Sequence, residues 1–516
     1  MTPNRSEASP VEGLTFLDRN FRFIAAGFAA LHLVLGVLVF EPILFTGGDN
    51  AHYLILGEAL RTGEGYRDLY LPGTPLHARY PPLFPMFLAV LGWVGGVNLA
   101  KAAMLLLTAG IVWITAHFAR RHSGAGPAVA AAALLSVNPT LLEYGHYVLS
   151  EAPFTLLVLT ALLFSQREGR QGAVLMTLAA CAAFATRSAG MALLLALPMA
   201  RLLAGSRRQA VWSAVGGATA MASWLVYQRF AAADAPSYLE VLLQRDPYTP
   251  ESGTLEFTEL VTRVAGNTWT YASRILPETL FGPGAGTGGV SMVLGLGVAL
   301  AALVGWAIFA RERARGPELF VVLYGGIIAT WPSAWSDRRF LLPLIPVILT
   351  FAVAAVWRLP RAPRRWLWWA VPAVLAAFGT SWIARTAPER LECAASYAVG
   401  APCDGPQWAS LYAAAIWARE NTQPDAIIAN RKPRLFYWYS RRRGDAYPLS
   451  SDPDVVLGGL EEMGADYVVV DQVSGTTGRY LVPAIQAYQT RFELVYEDGD
   501  PPSYIFRLLP APASTD

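Results

Sequence analysis

The stretch LFPMFLAVLGWVGGV (Leu83–Val97) decides how this chain is threaded. It is apolar throughout, yet shorter than the roughly 20 residues, within about 17–25, that cross a bilayer core. Counted as a span, it inverts everything downstream of it. Read as an interfacial or re-entrant helix, it leaves the downstream order intact. Charge arbitrates, because short cytoplasmic loops are enriched in Lys and Arg. With Leu83–Val97 left out and the N-terminus inside, the inward loops hold Arg120 and Arg121, then Arg167 and Arg170, then Arg201, Arg207 and Arg208. Further along they hold Arg311, Arg313 and Arg315, then Arg358, Arg361, Arg364 and Arg365. Counting the stretch as a span sends all these clusters outside. Leu83–Val97 is therefore expected on the outer face.

The composition is that of a membrane chain. Of 516 residues, 54% are hydrophobic and 15% charged, against about 25% charged in soluble domains. A net charge of +2 gives no reason to expect a nucleic-acid partner, and no glycine loop of the Walker or dinucleotide type is present. The first apolar run is not closed by a small-x-small cleavage pattern, so it reads as a retained span. About 11 transmembrane helices are expected: Phe21–Phe45, Leu99–Phe118, Pro127–Leu142, Leu149–Phe164, Gly172–Thr186, Ala189–Leu203, Ala210–Phe230, Gly289–Ala310, Glu318–Ala334, Phe340–Trp357 and Trp366–Ala384. Residues 1–20 then form a cytoplasmic N-terminus and 21–384 a polytopic α-helical membrane domain. The first outer loop covers 46–98 and the second 231–288, with short outer turns near Glu143–Ser150 and Ser336–Arg339.

Residues 385–516 read as a small extracytoplasmic α/β domain. It contains a helical stretch (Trp408–Thr422), strands in AIIAN and DYVVVD, and a closing hairpin in FELVYEDGDPPSYIFRLL. Cys181 lies in an apolar span and reads as packing, whereas Cys393 and Cys403 fall in the outer tail, where a disulfide is allowed.

At the end of the first apolar run stands FTGGDNAHYLILGEAL (Phe45–Leu60), with Asp49 directly after paired glycines. The residues that follow place Tyr53, Leu56 and Leu60 on one helical face, the pattern of an amphipathic helix lying on the membrane surface. By itself Asp49 reads as a helix N-cap.

The order and sidedness of several segments resemble the integral-membrane glycosyltransferases of the GT-C fold. The resemblance is to the bacterial branch related to dolichyl-phosphate-mannose protein O-mannosyltransferases and the lipid A aminoarabinose transferase. It rests on GGDNAHYLILGEAL and GEGYRDL…PGTPLHARYPPLFP, then ARRHSG, then SVNPTLLEYGHYVLSEAPFTLL, then ATRSAG and DRRFLLPLIP, with NRKPRLFYWYSRRR and ADYVVVD in the tail. It implies an inverting transferase that moves a sugar from a polyprenyl-phosphate carrier to a hydroxyl acceptor on protein, lipid or glycan. The chemistry would occur on the outer face of a bacterial inner membrane.

On that resemblance Asp49 is the general base, and Arg187, Arg338, Arg339 and Arg79 are candidate ligands of the donor phosphate. Arg187 is equally read as a snorkelling side chain, and the other three as headgroup contacts. Glu151 positions acceptor or carrier, or simply favours a helix N-terminus. His52, His146 and Tyr53 complete a secondary set, and the Asp49–His52 spacing leaves a divalent cation open without assigning one. Many relatives carry a second acidic residue after the aspartate, where this chain has Asn50. Two other classes compete: a flippase of lipid-linked sugars, which would favour inverted repeats, and a non-catalytic assembly protein with a GT-C shell. No convincing repeat is present, and Asp49 is retained.

Overall fold

The computed structural model describes residues 12–231, 238–248, 252–312, 316–358, 367–398 and 403–511. Arg313, Arg315, Arg361, Arg364, Arg365 and most of the N-terminal segment lie outside the described residues, as do 232–237 and 249–251 of the second outer loop.

Each of the expected spans overlaps a helix, and the helix ends depart from the expected bounds. Among the described residues three helices are long and apolar enough to cross a membrane: Phe16–Leu38 within Glu12–Leu38, Gly96–Ser123 and Gly289–Glu312. Their outward faces carry Phe23, Val34, Leu106, Leu300 and Leu303 exposed. An apolar stripe of that extent is stable against lipid rather than water. The chain is a membrane protein. The remaining apolar helices are shorter, such as Ala125–Ser136, Glu151–Ser165, Gly316–Thr330 and Ile345–Trp357.

Four expectations need correction. The first helix spans Glu12–Leu38, so Asp49 is separated from it by a non-helical connection, 39–48. The segment read as Pro127–Leu142 is broken into Ala125–Ser136 and Pro139–Glu143. Asn138 makes the break: its side chain caps the second helix by accepting from the Leu141 amide at 2.9 Å and donates to the Thr279 carbonyl at 3.0 Å. Pro139, which lacks an amide proton, fits the first turn that follows. The helix expected to end at Ala384 runs from Leu367 to Ala398, carrying Arg390 to Glu41. Finally, the helix Asp49–Thr62 is not a surface helix, because Asn50 through Gly57 are buried on every side. Leu83–Gly92 packs against it, and Gly57 allows the close approach: a Cβ there would stand 3.1 Å from Leu88 Cβ and 3.3 Å from the Pro85 carbonyl. At 10 residues Leu83–Gly92 is about 15 Å long, half a bilayer core.

The C-terminal residues form a four-stranded sheet in the order β1-β2-β4-β3, with β1 Ile428–Ala429, β2 Tyr467–Val470, β3 Phe492–Gly499 and β4 Pro502–Leu508. β1 and β2 are parallel; β4 is antiparallel to both β2 and β3. The strand period of two divides the core: Val468 and Val470 join one cluster with Leu460 and Leu481, while Val469 joins another with Leu411, Ala415 and Phe436. The second cluster belongs to helices Pro406–Asn421 and Pro433–Ser440, and the latter also packs on Asp49–Thr62. Cys393 and Cys403 are bonded, their Cα atoms 5.4 Å apart.

Candidate active site

The connection 39–48 is held by a lysine inside the protein. Lys101 is buried, and its ammonium donates to the Glu41 carbonyl at 2.6 Å and to the Ile43 carbonyl. Glu41's own carboxylate takes Arg390 and lies 3.6 Å from His146 Nε2. Gly47 and Gly48 then turn the chain. Gly48 is the helix N-cap at φ 86°, in the left-handed region open to glycine, and a Cβ on Gly47 would collide with the Phe45 ring.

Asp49 thereby becomes the first helical residue instead of the cap, and its carboxylate is turned to side chains. Oδ2 accepts from Arg339 Nη1 at 2.9 Å, and Oδ1 accepts from Arg434 Nη1 and the Tyr80 hydroxyl, each at 3.1 Å. Arg79, 5.8 Å from the Tyr80 ring, adds its field. One quarter of the Asp49 side chain remains exposed, so the group is reachable. Burial alone would raise its pKa, but the Arg434 and Arg339 charges reverse this and hold it well below the usual carboxylate range. Burial and the neighbouring carboxylate push the Tyr80 phenol up to about 12, so it stays a donor.

A second layer fixes the Asp49 helix. His52 Nε2 donates to Asp68 Oδ1 at 2.6 Å, and His77 Nδ1 donates to the same carboxylate at 3.0 Å. These three residues are the one group among the described residues whose atoms lie close enough to hold a metal. They do not fit one. His77 Nε2 already accepts the Tyr80 backbone N–H at 2.8 Å. A neutral His77 therefore carries its proton on Nδ1, the atom a metal would need. His52 points to Asp68 rather than joining Asp49 on a shared ion, so that expected pairing is corrected.

On the other side, Tyr53 shares a 2.9 Å hydrogen bond with Ser150 Oγ, to which Arg187 also donates at 2.9 Å. Arg187 pairs with Glu151 at 2.6 Å, and the Glu151 charge is also felt at Arg339. The line Arg434–Asp49–Arg339–Glu151–Arg187 thus alternates in sign across the site. Arg338 turns away, to Glu143 at 2.8 Å, a carboxylate that also accepts from Tyr147. His146 stands with Glu41 and Arg390 in a separate cluster. Of the candidates, Asp49, Arg339 and Arg79 come together, Arg187, Glu151 and Tyr53 adjoin them, and Arg338, His52 and His146 serve neighbouring pairs.

Sequence reading missed Arg434, Tyr80, Asp68 and His77. Tyr80 and His77 lie in the quoted HARYPPLFP, and Arg434 in NRKPRLFYWYSRRR, but nothing local tells which of several arginines crosses to Asp49.

Three solved structures share this architecture. ArnT from Cupriavidus metallidurans bound to undecaprenyl phosphate superposes with a TM-score of 0.58 at 13% identity, over 93% of this chain and 97% of that one. The same protein in the apo state gives 0.59 at 14% identity, over 93% and 96%. The Archaeoglobus fulgidus oligosaccharyltransferase tethered with an acceptor peptide gives 0.55 at 11% identity, over 96% of this chain and 75% of that one. The fold is GT-C. No protein-family model and no characterised protein sequence matches the chain, so the GT-C assignment rests on three-dimensional likeness alone.

Proposed function

We propose that this protein is an inverting glycosyltransferase that moves a sugar from a polyprenyl-phosphate carrier to a hydroxyl acceptor. The reaction would take place at the outer face of the inner membrane, with residues 385–516 on the same side. The observation that carries the reading is a reachable carboxylate, Asp49, flanked by Arg339, Arg434 and Arg79 in a helical membrane protein. The GT-C relative bound to undecaprenyl phosphate supports a carrier of that class.

The roles follow from the chemistry. Asp49 takes the proton of the acceptor hydroxyl as its oxygen bonds to the anomeric carbon. The bond from that carbon to the phosphate oxygen breaks, and its electron pair leaves on the polyprenyl phosphate. A phosphate leaves without general-acid help, but an alcohol needs a base. Arginine guanidiniums at hydrogen-bonding range neutralise the leaving phosphate. Tyr80 orients the carboxylate, Arg187 with Glu151 borders the carrier or acceptor, and attack opposite the leaving group inverts the centre.

The test is turnover by the full-length protein in nanodiscs with a panel of polyprenyl-phosphate hexoses and pentoses and an envelope extract as acceptor. Release of polyprenyl phosphate from at least one donor is expected. Release from none would remove the transferase reading in favour of a flippase or an assembly role.

A further inference from the structure

Four basic side chains converge on the Asp49 carboxylate. Arg339 and Arg434 bond to Asp49, and the charges of Arg79 and Lys432 also act on it. Glu151, which is paired with Arg187 at 2.6 Å, also acts on Arg339, and Asp471 acts on Lys432. Arg339 Nε, moreover, is buried with no hydrogen-bond partner among the described residues. A buried guanidinium N–H without a partner favours a further acceptor, and beside several cations an anionic one gains most. Two of these cations, Arg434 and Lys432, come from the C-terminal domain. Further ties to this region include Arg434 Nε donating to the Tyr70 hydroxyl at 3.4 Å, Lys432 Nζ donating to the Thr46 carbonyl at 3.3 Å, the Gly444 amide donating to the Tyr70 carbonyl at 2.9 Å, and Arg441 pairing with Glu58 at 2.9 Å.

We propose that Arg434, presented by the C-terminal domain, is a ligand of the donor phosphate, and that the phosphate draws Arg434 and Arg339 off Asp49 so that the base is released only when the donor is in place. The inference rests on the transferase reading and extends it to a residue and an order of events. A carboxylate held by two guanidiniums is a weak base, because the bonds that stabilise its charge oppose protonation. A phosphate ester competes for the same planar forks. Once seated, it removes those bonds and adds a negative neighbour, and both changes raise the basicity of Asp49. The acceptor hydroxyl therefore meets a competent base only beside a loaded donor, and the C-terminal domain is part of the device.

The experiment uses full-length protein in nanodiscs, wild type and the variants Arg434→Gln, Arg434→Lys and Arg441→Gln. Binding of polyprenyl phosphate is measured, and KM and kcat with the donor that the panel identifies. Arg434→Gln is expected to weaken polyprenyl phosphate binding and raise donor KM by about 10- to 100-fold, the worth of one charged hydrogen bond. Arg434→Lys should recover part of the loss. Arg441→Gln, which removes an exposed pair at the same domain contact, should change both by no more than about twofold.

A purely structural Arg434 would not produce the pH signature. In wild type the acid limb of kcat, which reports the donor-bound enzyme, is expected at higher pH than that of kcat/KM, which reports the free enzyme. Unchanged donor binding in Arg434→Gln, or coincident limbs, would overturn the inference while leaving the transferase reading intact. Binding abolished equally in wild type and Arg434→Gln by anionic-lipid discs or inorganic phosphate would assign these cations to headgroups or free phosphate and also overturn it. If no donor is turned over, the reading above fails instead, and the binding arm still decides whether Arg434 holds a phosphate.

Discussion

In the sequence Asp49 reads by itself as a helix N-cap, and only the resemblance to GT-C transferases singled it out as a base. Its surroundings were not visible. The residues that bond its carboxylate lie 31, 290 and 385 positions away, and no local period encodes such pairing. His52 shows the same limit: it looked like a partner of Asp49, whereas its ring N–H hydrogen-bonds to Asp68. Burial, and then the nearby Arg434 charge, lower the His52 pKa to about 3, so it is neutral across the physiological range. An unfolded His titrates near 6.5, so between about pH 6.5 and 3 the unfolded chain binds the extra proton. Stability is therefore expected to fall as pH drops through that window. Thermal melts from pH 7.5 to 4.5 should show a smaller decline for His52→Gln than for wild type. Parallel curves would mean that His52 does not carry the acid sensitivity.

At the scale of elements, hydropathy marked the membrane helices well and their ends poorly. Helix ends here are set by Asn138, by Pro139 and by the turn at Gly47–Gly48, and a window average blurs such single-residue events. The amphipathic reading of Asp49–Thr62 failed for a different reason. Its polar residues, His52 and Asn50, are buried, and the surfaces that cover the helix come from Leu83–Gly92 and, far along the chain, Pro433–Ser440. Gly48 is the point where the element is most easily broken. Its φ of 86° costs a side-chain-bearing residue about 1–2 kcal/mol. Gly48→Ala should lower the melting temperature and also reduce kcat, because the strain falls one residue from the carboxylate. A variant with wild-type stability and turnover would show that the turn tolerates a Cβ.

For the molecule as a whole, the arginine pattern set Leu83–Val97 apart from the spans, and the helix found there, Leu83–Gly92, has only 10 residues, about half of what crosses a bilayer core. The tail's strands and helices were legible from their alternation, but its function was not, because its docking surface is made by residues from both ends of the sequence. The 39–48 connection joins those ends through Lys101, Glu41 and Arg390. Lys101→Met would strand the Glu41 and Ile43 carbonyls, a loss of about 2–5 kcal/mol for two buried acceptors. A clearly lowered melting temperature and faster proteolysis of the C-terminal domain are expected. Unchanged values would place the joint elsewhere.

The most direct measurement compares wild type with Asp49→Asn, following polyprenyl phosphate release with the donor that is used and, separately, donor binding. Asparagine keeps the shape and removes the base. Turnover is expected to fall by about 10²- to 10⁴-fold, the usual contribution of general-base catalysis, with donor binding retained. Equal turnover by the two proteins would contradict the account, leaving Asp49 as a structural anchor for Arg339 and Arg434.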